Sequence, residues 1–352
     1  MPHRTPDTAA GRKDLREIPL HAVDGPGDLL RLEPARLAAL LAAAERRYPR
    51  AGIALADHLS RRWLERSANP YLAEIGQVAA ALGRPGAHFL NMSYEWACTC
   101  SVGPTADGRA SRLTRVLDWP FEGLGAELVA ARQRGPAGEW INITWPGFSG
   151  SIQGLAPGRF AAAFNQAPLR RRSPSKAVDW ACDRYGLWRS RALPPAHLLR
   201  RVFDEARDFA AAKAMLAETP LALPAIFSLA GCGPDEQAVI ERLEDHAVVH
   251  QGPQVAANHW NAAEMPRARA RGTVSDRRAA VMRDQAAAAG PDLAWLQPPV
   301  LNPTTRLALY AEPAGGRLVA QGFEAGCFEA GGFEAAGPDR AVAATTVTEI
   351  AC

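Results

Sequence analysis

Cys100 lies in a segment whose residue types could support nucleophilic catalysis. A strand-like run begins at this cysteine, and Arg115 and Asp118 lie on the next strand-like run. A fixed guanidinium charge beside a thiol favours the thiolate and lowers the thiol pKa. A carboxylate can orient the base that removes the thiol proton. The three residues together therefore predict a cysteine nucleophile.

An internal cysteine has no strong base of its own. If the peptide bond between Thr99 and Cys100 were cleaved, the new α-amino group would lie close to the Cys100 sulfur. The unperturbed pKa of such an amine is about 7.7–8.0, so the amine could accept the thiol proton near neutral pH. Asp118 would hold this amine by a hydrogen bond. We therefore predict self-cleavage into fragments 1–99 and 100–352.

The elements around Cys100 must bring these groups together. Residues 100–121 are typical of a β-hairpin, with Asp107-Gly108 in its turn. Arg115 and Asp118 are three residues apart, so on a regular strand their side chains point to opposite faces. Both can serve the thiol only if a bulge or the strand end re-aims Asp118.

Helical and strand-like patterns alternate in blocks along the whole chain. A helix is expected to start at Asn69-Pro70 and to end before Gly83. Such blocks predict an α+β fold with two antiparallel sheets and helices outside them. The predicted helical regions cover 33–66, 69–82, 177–218 with a break at Pro194-Pro195, and 275–289, and the predicted strands cover 100–103, 112–119, 139–145, 149–154, 160–165, 225–230, 237–243, 246–251, 255–257, 307–311 and 317–321.

Several segments, spread in order over about residues 70–310, resemble the N-terminal-nucleophile (Ntn) amide hydrolases. The similarity is to acid ceramidase and N-acylethanolamine acid amidase, and more distantly to the choloylglycine hydrolases. The segments are Tyr94-Glu95 before Cys100, Arg115 to Asp118, Trp145-Pro146-Gly147-Phe148-Ser149-Gly150, Ala257-Asn258-His259-Trp260, Ser275-Asp276-Arg277-Arg278 and Pro299-Val300-Leu301-Asn302. The chain departs from the family pattern at Val116 and Gln166, where asparagine and glutamate are usual.

The resemblance implies a fold and a set of site residues. The implied fold is a four-layer αββα sandwich, in which two antiparallel sheets are flanked by helices. Asn258 would belong to the oxyanion hole, and Arg277 would be an active-site arginine. Asn165 and Gln166 are weaker candidates for contacts with substrate or oxyanion, Gln166 through its backbone N–H. The full catalytic set is Cys100, Arg115, Asp118, Asn258 and Arg277.

The implied activity is hydrolysis of a linear N-acyl amide, either a fatty-acyl amide or a ceramide-like small molecule. The reaction would proceed through an acyl-thioester on Cys100, after autocatalytic cleavage to an α/β heterodimer. No cofactor is expected. Two alternatives stay open, an acyltransferase on the same scaffold and a catalytically silent relative that binds lipid amides. The residues considered contact the amide and not its substituents, so the acyl and amine specificity stay undefined.

Composition argues against several other classes of protein. Forty basic and thirty-seven acidic residues leave a net charge of +3, which predicts no nucleic-acid partner. No run approaches the ~18 apolar residues of a membrane span. The six cysteines lack paired Cys-x-x-Cys spacing, so no metal site is expected, and a metal or redox role for Cys98-x-Cys100 is disfavoured. The N-terminus lacks the apolar core of a secretory signal, which predicts a cytoplasmic location.

The pattern predicts four regions. Residues 1–14 are expected to be disordered, and residues 15–99 to form a helical segment that becomes the α fragment. Residues 100–322 would form the Ntn hydrolase core and the β fragment. Residues 323–352 contain a Phe-Glu-Ala repeat of period five, which matches neither helix nor strand, and they are predicted to be a low-complexity tail without an assigned function.

Overall fold

The computed structural model describes residues 15–92, 96–326 and 341–350. Residues Ala286–Ala288 extend the last helix as one turn of 3-10 helix. The α-helices are α1 (Pro26–Leu32), α2 (Pro34–Arg47), α3 (Arg50–Arg66), α4 (Leu72–Leu82), α5 (Ala87–Leu90), α6 (Lys176–Arg189), α7 (Pro195–Glu205), α8 (Phe209–Glu218) and α9 (Ser275–Gln285).

Eleven of the seventeen strands of the described residues overlap predicted strands, and the other six lie outside them. The seventeen strands are β1 (Leu20–Ala22), β2 (Ala97–Pro104), β3 (Ser111–Asp118), β4 (Val129–Gly135), β5 (Gly138–Thr144), β6 (Gln153–Ala156), β7 (Phe160–Gln166), β8 (Leu169–Arg170), β9 (Ala225–Gly231), β10 (Gln237–Arg242), β11 (Ala247–Gln251), β12 (Gln254–Ala256), β13 (Ala268–Arg269), β14 (Thr305–Glu312), β15 (Arg317–Ala325), β16 (Ala341–Ala343) and β17 (Thr348–Ile350).

The helical segment before β2 forms largely as its sequence predicts. The helices expected over 33–66 are α2 and α3, and they are separated at Tyr48, which precedes a proline and adopts an extended conformation with φ −125° and ψ 134°. Helix α4 ends at Gly83, whose left-handed φ of +61° favours glycine. These helices pack around the buried side chains of Trp63, Leu64 and Ile75.

Two large sheets form the centre of the molecule. The eight-stranded sheet has the order β1-β4-β5-β6-β7-β9-β10-β11, and the other sheet has the order β12-β2-β3-β14-β15-β16 with β17 also paired to β15. The pairing is antiparallel except that β1 lies parallel to β4. Strands β2 and β3 of one sheet pack against β7 and β9 of the other.

Helices cover the outer faces of both sheets. Helices α7 and α8 contact the eight-stranded sheet, whereas α9 contacts β2 and β12 of the other sheet. The main apolar core lies between the sheets and includes Cys98, Cys100, Phe160 and Phe164. The predicted α+β class and its αββα layering are therefore confirmed.

The predicted hairpin around Cys100 is present as β2 and β3. Cys100 pairs with Arg115, and Cys98 pairs with Leu117. Gly108 has a φ of +70° in the connecting turn, a conformation that glycine adopts without strain. Strand β2 already begins at Ala97, so the predicted fragment boundary at 99/100 falls inside a strand.

The C-terminal boundary predicted at residue 322 is corrected by the structure, because β15 continues to Ala325 and the sheet also includes β16 and β17. Glu324, from the first unit of the repeat, accepts hydrogen bonds from the backbone N–H groups of Gly123 and Gly125. This unit is thus part of the fold. The remaining repeat units and the expected disordered segment 1–14 lie outside the described residues.

None of the described helices combines the length and the apolar character that a membrane crossing requires.

Candidate active site

The guanidinium of Arg115 lies against the thiol of Cys98. Its Nη2 is 2.9 Å from the Cys98 Sγ, and its Nη1 donates to the carbonyl oxygens of Phe164 (2.9 Å) and Ile152 (3.2 Å). Arg115 is directly opposite Cys100 in the β-ladder, but a long side chain also reaches the diagonal neighbour on the paired strand. The guanidinium therefore bridges the two sheets at Cys98.

The thiol of Cys100 lies near Arg115 as well, and it also contacts the other sheet. Its Sγ donates to Asn165 Oδ1 at 3.0 Å, and Asn165 Nδ2 in turn donates to the carbonyl oxygens of Ala256 and Ala257. Cys98 and Cys100 are two residues apart on β2, so both side chains point into the space between the sheets. Both cysteines are 0% exposed, so neither thiol is in contact with solvent in the intact chain.

Asn258 contacts the main chain of Cys98. The Cys98 backbone N–H donates to Asn258 Oδ1 at 2.8 Å, and Asn258 Nδ2 donates to the Gln166 carbonyl at 2.7 Å. The backbone N–H of Asn258 donates to Ser275 Oγ at 2.9 Å. Gln166 is thus joined to the site through its carbonyl oxygen, whereas the sequence had suggested its N–H.

Arg278 is a buried residue of the site that the sequence reasoning missed. Its Nη1 donates to the Cys98 carbonyl at 2.9 Å and to Asp118 Oδ2 at 3.2 Å, and its Nη2 donates to Asn258 Oδ1 at 3.0 Å. Thr305 Oγ1 donates to the other carboxylate oxygen of Asp118 at 2.8 Å. The side chains of Asp118 and Arg278 therefore form a buried ion pair behind the Cys98 main chain.

Arg277, the arginine predicted for the site, is exposed on the opposite side of α9. The buried residues of this helix are Ser275, Arg278, Ala279 and Met282. Their spacing of three and four residues marks one helical face. The same spacing, read from the apolar Ala279 and Met282, is the signal that would have selected Arg278.

Arg115 and Asp118 do point to opposite faces of β3, as their separation predicts. The side chain of Arg115 lies between the sheets, and the carboxylate of Asp118 meets Arg278 of α9 on the outer face. A register shift on β14 lies opposite the end of β3, between Thr305 and Leu307. Asp118 therefore contacts the Cys98 main chain indirectly, through Arg278. The acceptor for the Cys98 N–H is Asn258.

Burial has the largest effect on the pKa values of the site residues. It raises the pKa of the Cys98 thiol to about 12, against the opposing charge of Arg115, and it also raises the pKa of the Cys100 thiol. Burial likewise raises the pKa of the Asp118 carboxyl, and Arg278 opposes this. Both thiols of the intact chain are thus protonated at neutral pH, so a nucleophilic reaction needs a base.

An apolar pocket of about 1040 Å³ lies beside these residues, between the N-terminal helices and the sheets. Its wall includes Ile152, whose carbonyl accepts from Arg115, and Trp119, which follows Asp118. The ring centroids of Trp119 and Trp96 are 4.9 Å apart, and Trp96 is two residues before Cys98. Further apolar side chains of the wall are Leu40, Phe89, Trp145 and Phe148.

No model of a known protein family matches this chain, and no curated protein sequence matches it significantly. Solved structures do match. One is a Caenorhabditis elegans N-acylethanolamine-hydrolyzing acid amidase (NAAA) ortholog, at 16% sequence identity and a TM-score of 0.48. The match covers 61% of this chain and 92% of that chain.

Proposed function

We propose that this protein hydrolyses a linear N-acyl amide through an acyl-thioester on a cysteine of β2, after it has cleaved its own chain before that cysteine. The observation that carries the proposal is the set of contacts around Cys98. Arg115 meets its sulfur, Asn258 meets its backbone N–H, and Arg278 meets its carbonyl oxygen. The Cys100 Sγ donates to Asn165 Oδ1.

These contacts favour Cys98 as the nucleophile, whereas the sequence pattern favours Cys100. The guanidinium of Arg115 would stabilise the Cys98 thiolate, because it lies 2.9 Å from the sulfur. Asn258 Oδ1 already accepts the Cys98 N–H and would hold the α-amine that replaces it after cleavage. Cys100 stays the alternative, and cleavage before it would give a fragment that is shorter by Cys98 and Thr99.

The maturation step is an attack of the Cys98 thiol on the carbonyl carbon of Ala97. The C–N bond between Ala97 and Cys98 breaks, the nitrogen takes the thiol proton, and the acyl group moves to sulfur. Water then hydrolyses this thioester. The products are a new carboxylate on Ala97, the free Cys98 thiol and a free α-amine.

In turnover, the α-amine of Cys98 would act as the base. It accepts the thiol proton as the sulfur attacks the substrate carbonyl, and it returns a proton to the leaving amine. Water then hydrolyses the acyl-thioester to the carboxylic acid. Asp118 would position Arg278 against the Cys98 main chain, and Asn258 Nδ2 remains the predicted oxyanion donor, a contact worth about 10²–10³ in turnover.

The apolar pocket supports an acyl chain as one half of the substrate. Apart from Arg84, its lining consists mainly of aliphatic and aromatic residues, and it meets the candidate site at Ile152 and Trp119. The hydrophobic character of this wall suits a long hydrocarbon chain.

Cysteine variants test the proposal. We expect the purified wild-type protein to contain a fragment that begins at Cys98, as read by intact-mass spectrometry, and to hydrolyse fluorogenic N-acyl amides. Cys98→Ala should stay uncut and inactive. Cys100→Ala, the matched control on the same strand, should be cut and should keep its activity within about tenfold, because the contacts of Cys98 with Asn258 and Arg278 do not involve the Cys100 side chain.

The opposite result would assign the reaction to Cys100. An uncut wild-type chain that hydrolyses no acyl amide would contradict the enzyme proposal and favour the lipid-amide-binding alternative. Transfer of the acyl group to an added amine, in preference to water, would favour the acyltransferase.

A further inference from the structure

A second cleft lies beside the candidate site and shares no lining residue with the apolar pocket. It has a volume of about 360 Å³ and lies between the end of β7, the middle of α6 and the loop that precedes α9. Its polar lining includes Gln166, Asp183, Arg184 and Arg271. The proposed function does not account for this group of charged side chains.

The walls of this cleft are also walls of the candidate site. Phe164 lines the cleft, and its carbonyl accepts the Arg115 guanidinium. Gln166 lines the cleft, and its carbonyl accepts Asn258 Nδ2. The backbone N–H of Arg271 donates to the Asn258 carbonyl at 3.1 Å. A group bound in the cleft would therefore lie close to Asn258 and to the Cys98 main chain.

The cleft concentrates positive charge. Arg271 is partly buried and donates from Nε to the Ala167 carbonyl at 2.8 Å, and among the residues that the structure describes no acidic side chain forms an ion pair with it. Burial, together with the like charge of Arg184, lowers the pKa of Arg271 to about 10, so it stays charged at neutral pH. The charge of Asp183, which is paired to Arg172 at 2.6 Å, opposes this lowering. A bound anion would relieve the repulsion between Arg184 and Arg271.

We propose that Arg271 and Arg184 bind an anionic group on the amine half of the substrate, such as the carboxylate of an N-acyl amino acid. This inference rests on the proposed function. The acyl chain occupies the apolar pocket, whose lining residue Ile152 contacts Arg115 through its carbonyl oxygen. The amine half occupies the cleft. Its lining residues Gln166 and Phe164 contact Asn258 and Arg115 through their carbonyl oxygens. Guanidinium groups bind carboxylates by strong, charge-assisted hydrogen bonds.

Two substrates with the same acyl chain test the inference. N-dodecanoylglycine carries a carboxylate where N-dodecanoylethanolamine carries a neutral hydroxyl group. We expect the wild-type kcat/KM to be at least about tenfold higher for the glycine amide, since a hydrogen bond to a charged group contributes ~1.5–3 kcal/mol and each 1.4 kcal/mol is tenfold. Arg271→Gln should lower kcat/KM for the glycine amide about 10–100-fold and change that for the ethanolamide less than about threefold.

Arg189→Gln is the matched control, because Arg189 is an exposed arginine of α6 outside the cleft. Arg184→Gln is a second variant in the cleft, should Arg271→Gln fail to fold in a thermal unfolding assay. Equal wild-type rates for the two substrates, or an equal loss for both in the variants, would overturn this inference and leave the proposed hydrolase in place. If wild type hydrolyses neither substrate nor any other acyl amide, the proposed function fails and this inference fails with it.

Discussion

The two thiols of β2 illustrate what residue spacing can and cannot predict. Cys98 and Cys100 share a strand face, and the β-ladder does place Cys100 opposite Arg115, as a hairpin with this turn implies. The guanidinium nevertheless extends along the strand to the Cys98 sulfur. The direction of a long side chain depends on the carbonyl groups it finds, here those of Ile152 and Phe164 on the other sheet, and no local pattern encodes them.

Arg278→Gln is expected to destabilise the protein by about 3–5 kcal/mol, because it leaves the buried Asp118 carboxylate without its ion-pair partner. It should also slow fragment formation, since the Cys98 main chain loses a contact that holds it in place. Urea unfolding and intact-mass spectrometry measure the two effects. Arg277→Gln, one residue away on the exposed face, should change the stability by less than about 0.5 kcal/mol. Equal effects of the two substitutions would contradict the role of Arg278.

Individual helices and strands could be predicted where the sequence shows a helical or strand periodicity or a turn motif. Helix α4, the β2–β3 hairpin and the β14–β15 hairpin occur where the sequence places them. The pairing of β3 with β14, which sets Leu309 opposite Arg115, joins distant parts of the chain and has no local signal. The contact of α9 with β2 also arises only in the folded protein, and it brings Arg278 to the site.

Helix α4 is joined to α7 by one well-formed ion pair. Arg200 donates to both carboxylate oxygens of Glu74, at 2.5 and 2.9 Å, and also to the Ser149 carbonyl. Such bidentate pairs are stronger than single charge contacts. If the chain is cut before Cys98, this pair is one of the contacts that hold the N-terminal fragment to the rest of the protein.

Glu74→Gln should therefore lower the free energy of unfolding by about 1–3 kcal/mol, because Arg200 is largely buried and keeps its charge. In the cleaved protein, the fragments should separate at a lower urea concentration, which size-exclusion chromatography in urea would measure. Glu65→Gln removes an exposed partner of Arg61 and should cost less than about 0.5 kcal/mol. Fragments that separate at the same urea concentration in both variants would argue against this contact.

The layered architecture buries polar groups where the N-terminal helices meet the sheet-covering helices. His197 of α7 is one of them, with 0% exposure and an Nδ1 atom that accepts from Asn69 Nδ2 at 2.8 Å. Burial, followed by the charge of Arg200, lowers its pKa from 6.5 to about 3. The block pattern of the sequence predicts the layers, but it does not predict this charge-sensitive contact between them.

The low pKa of His197 makes a sign-specific prediction for the whole molecule. Below pH 6.5 the unfolded chain takes up a proton at this histidine that the folded chain does not, so stability falls as the pH falls from 6.5 towards about 3. The slope contributed by this group approaches ~1.4 kcal/mol per pH unit. Between pH 6.5 and pH 5, wild type should thus lose about 1.6 kcal/mol more than His197→Gln, as measured by urea unfolding at each pH. Because Asp118 and the other buried acids are the same in both proteins, the difference between the two curves isolates His197.

The control is His58→Gln, at an exposed position of α3, which should follow the wild-type curve. Parallel curves for wild type and His197→Gln would show that this histidine does not set the acid sensitivity.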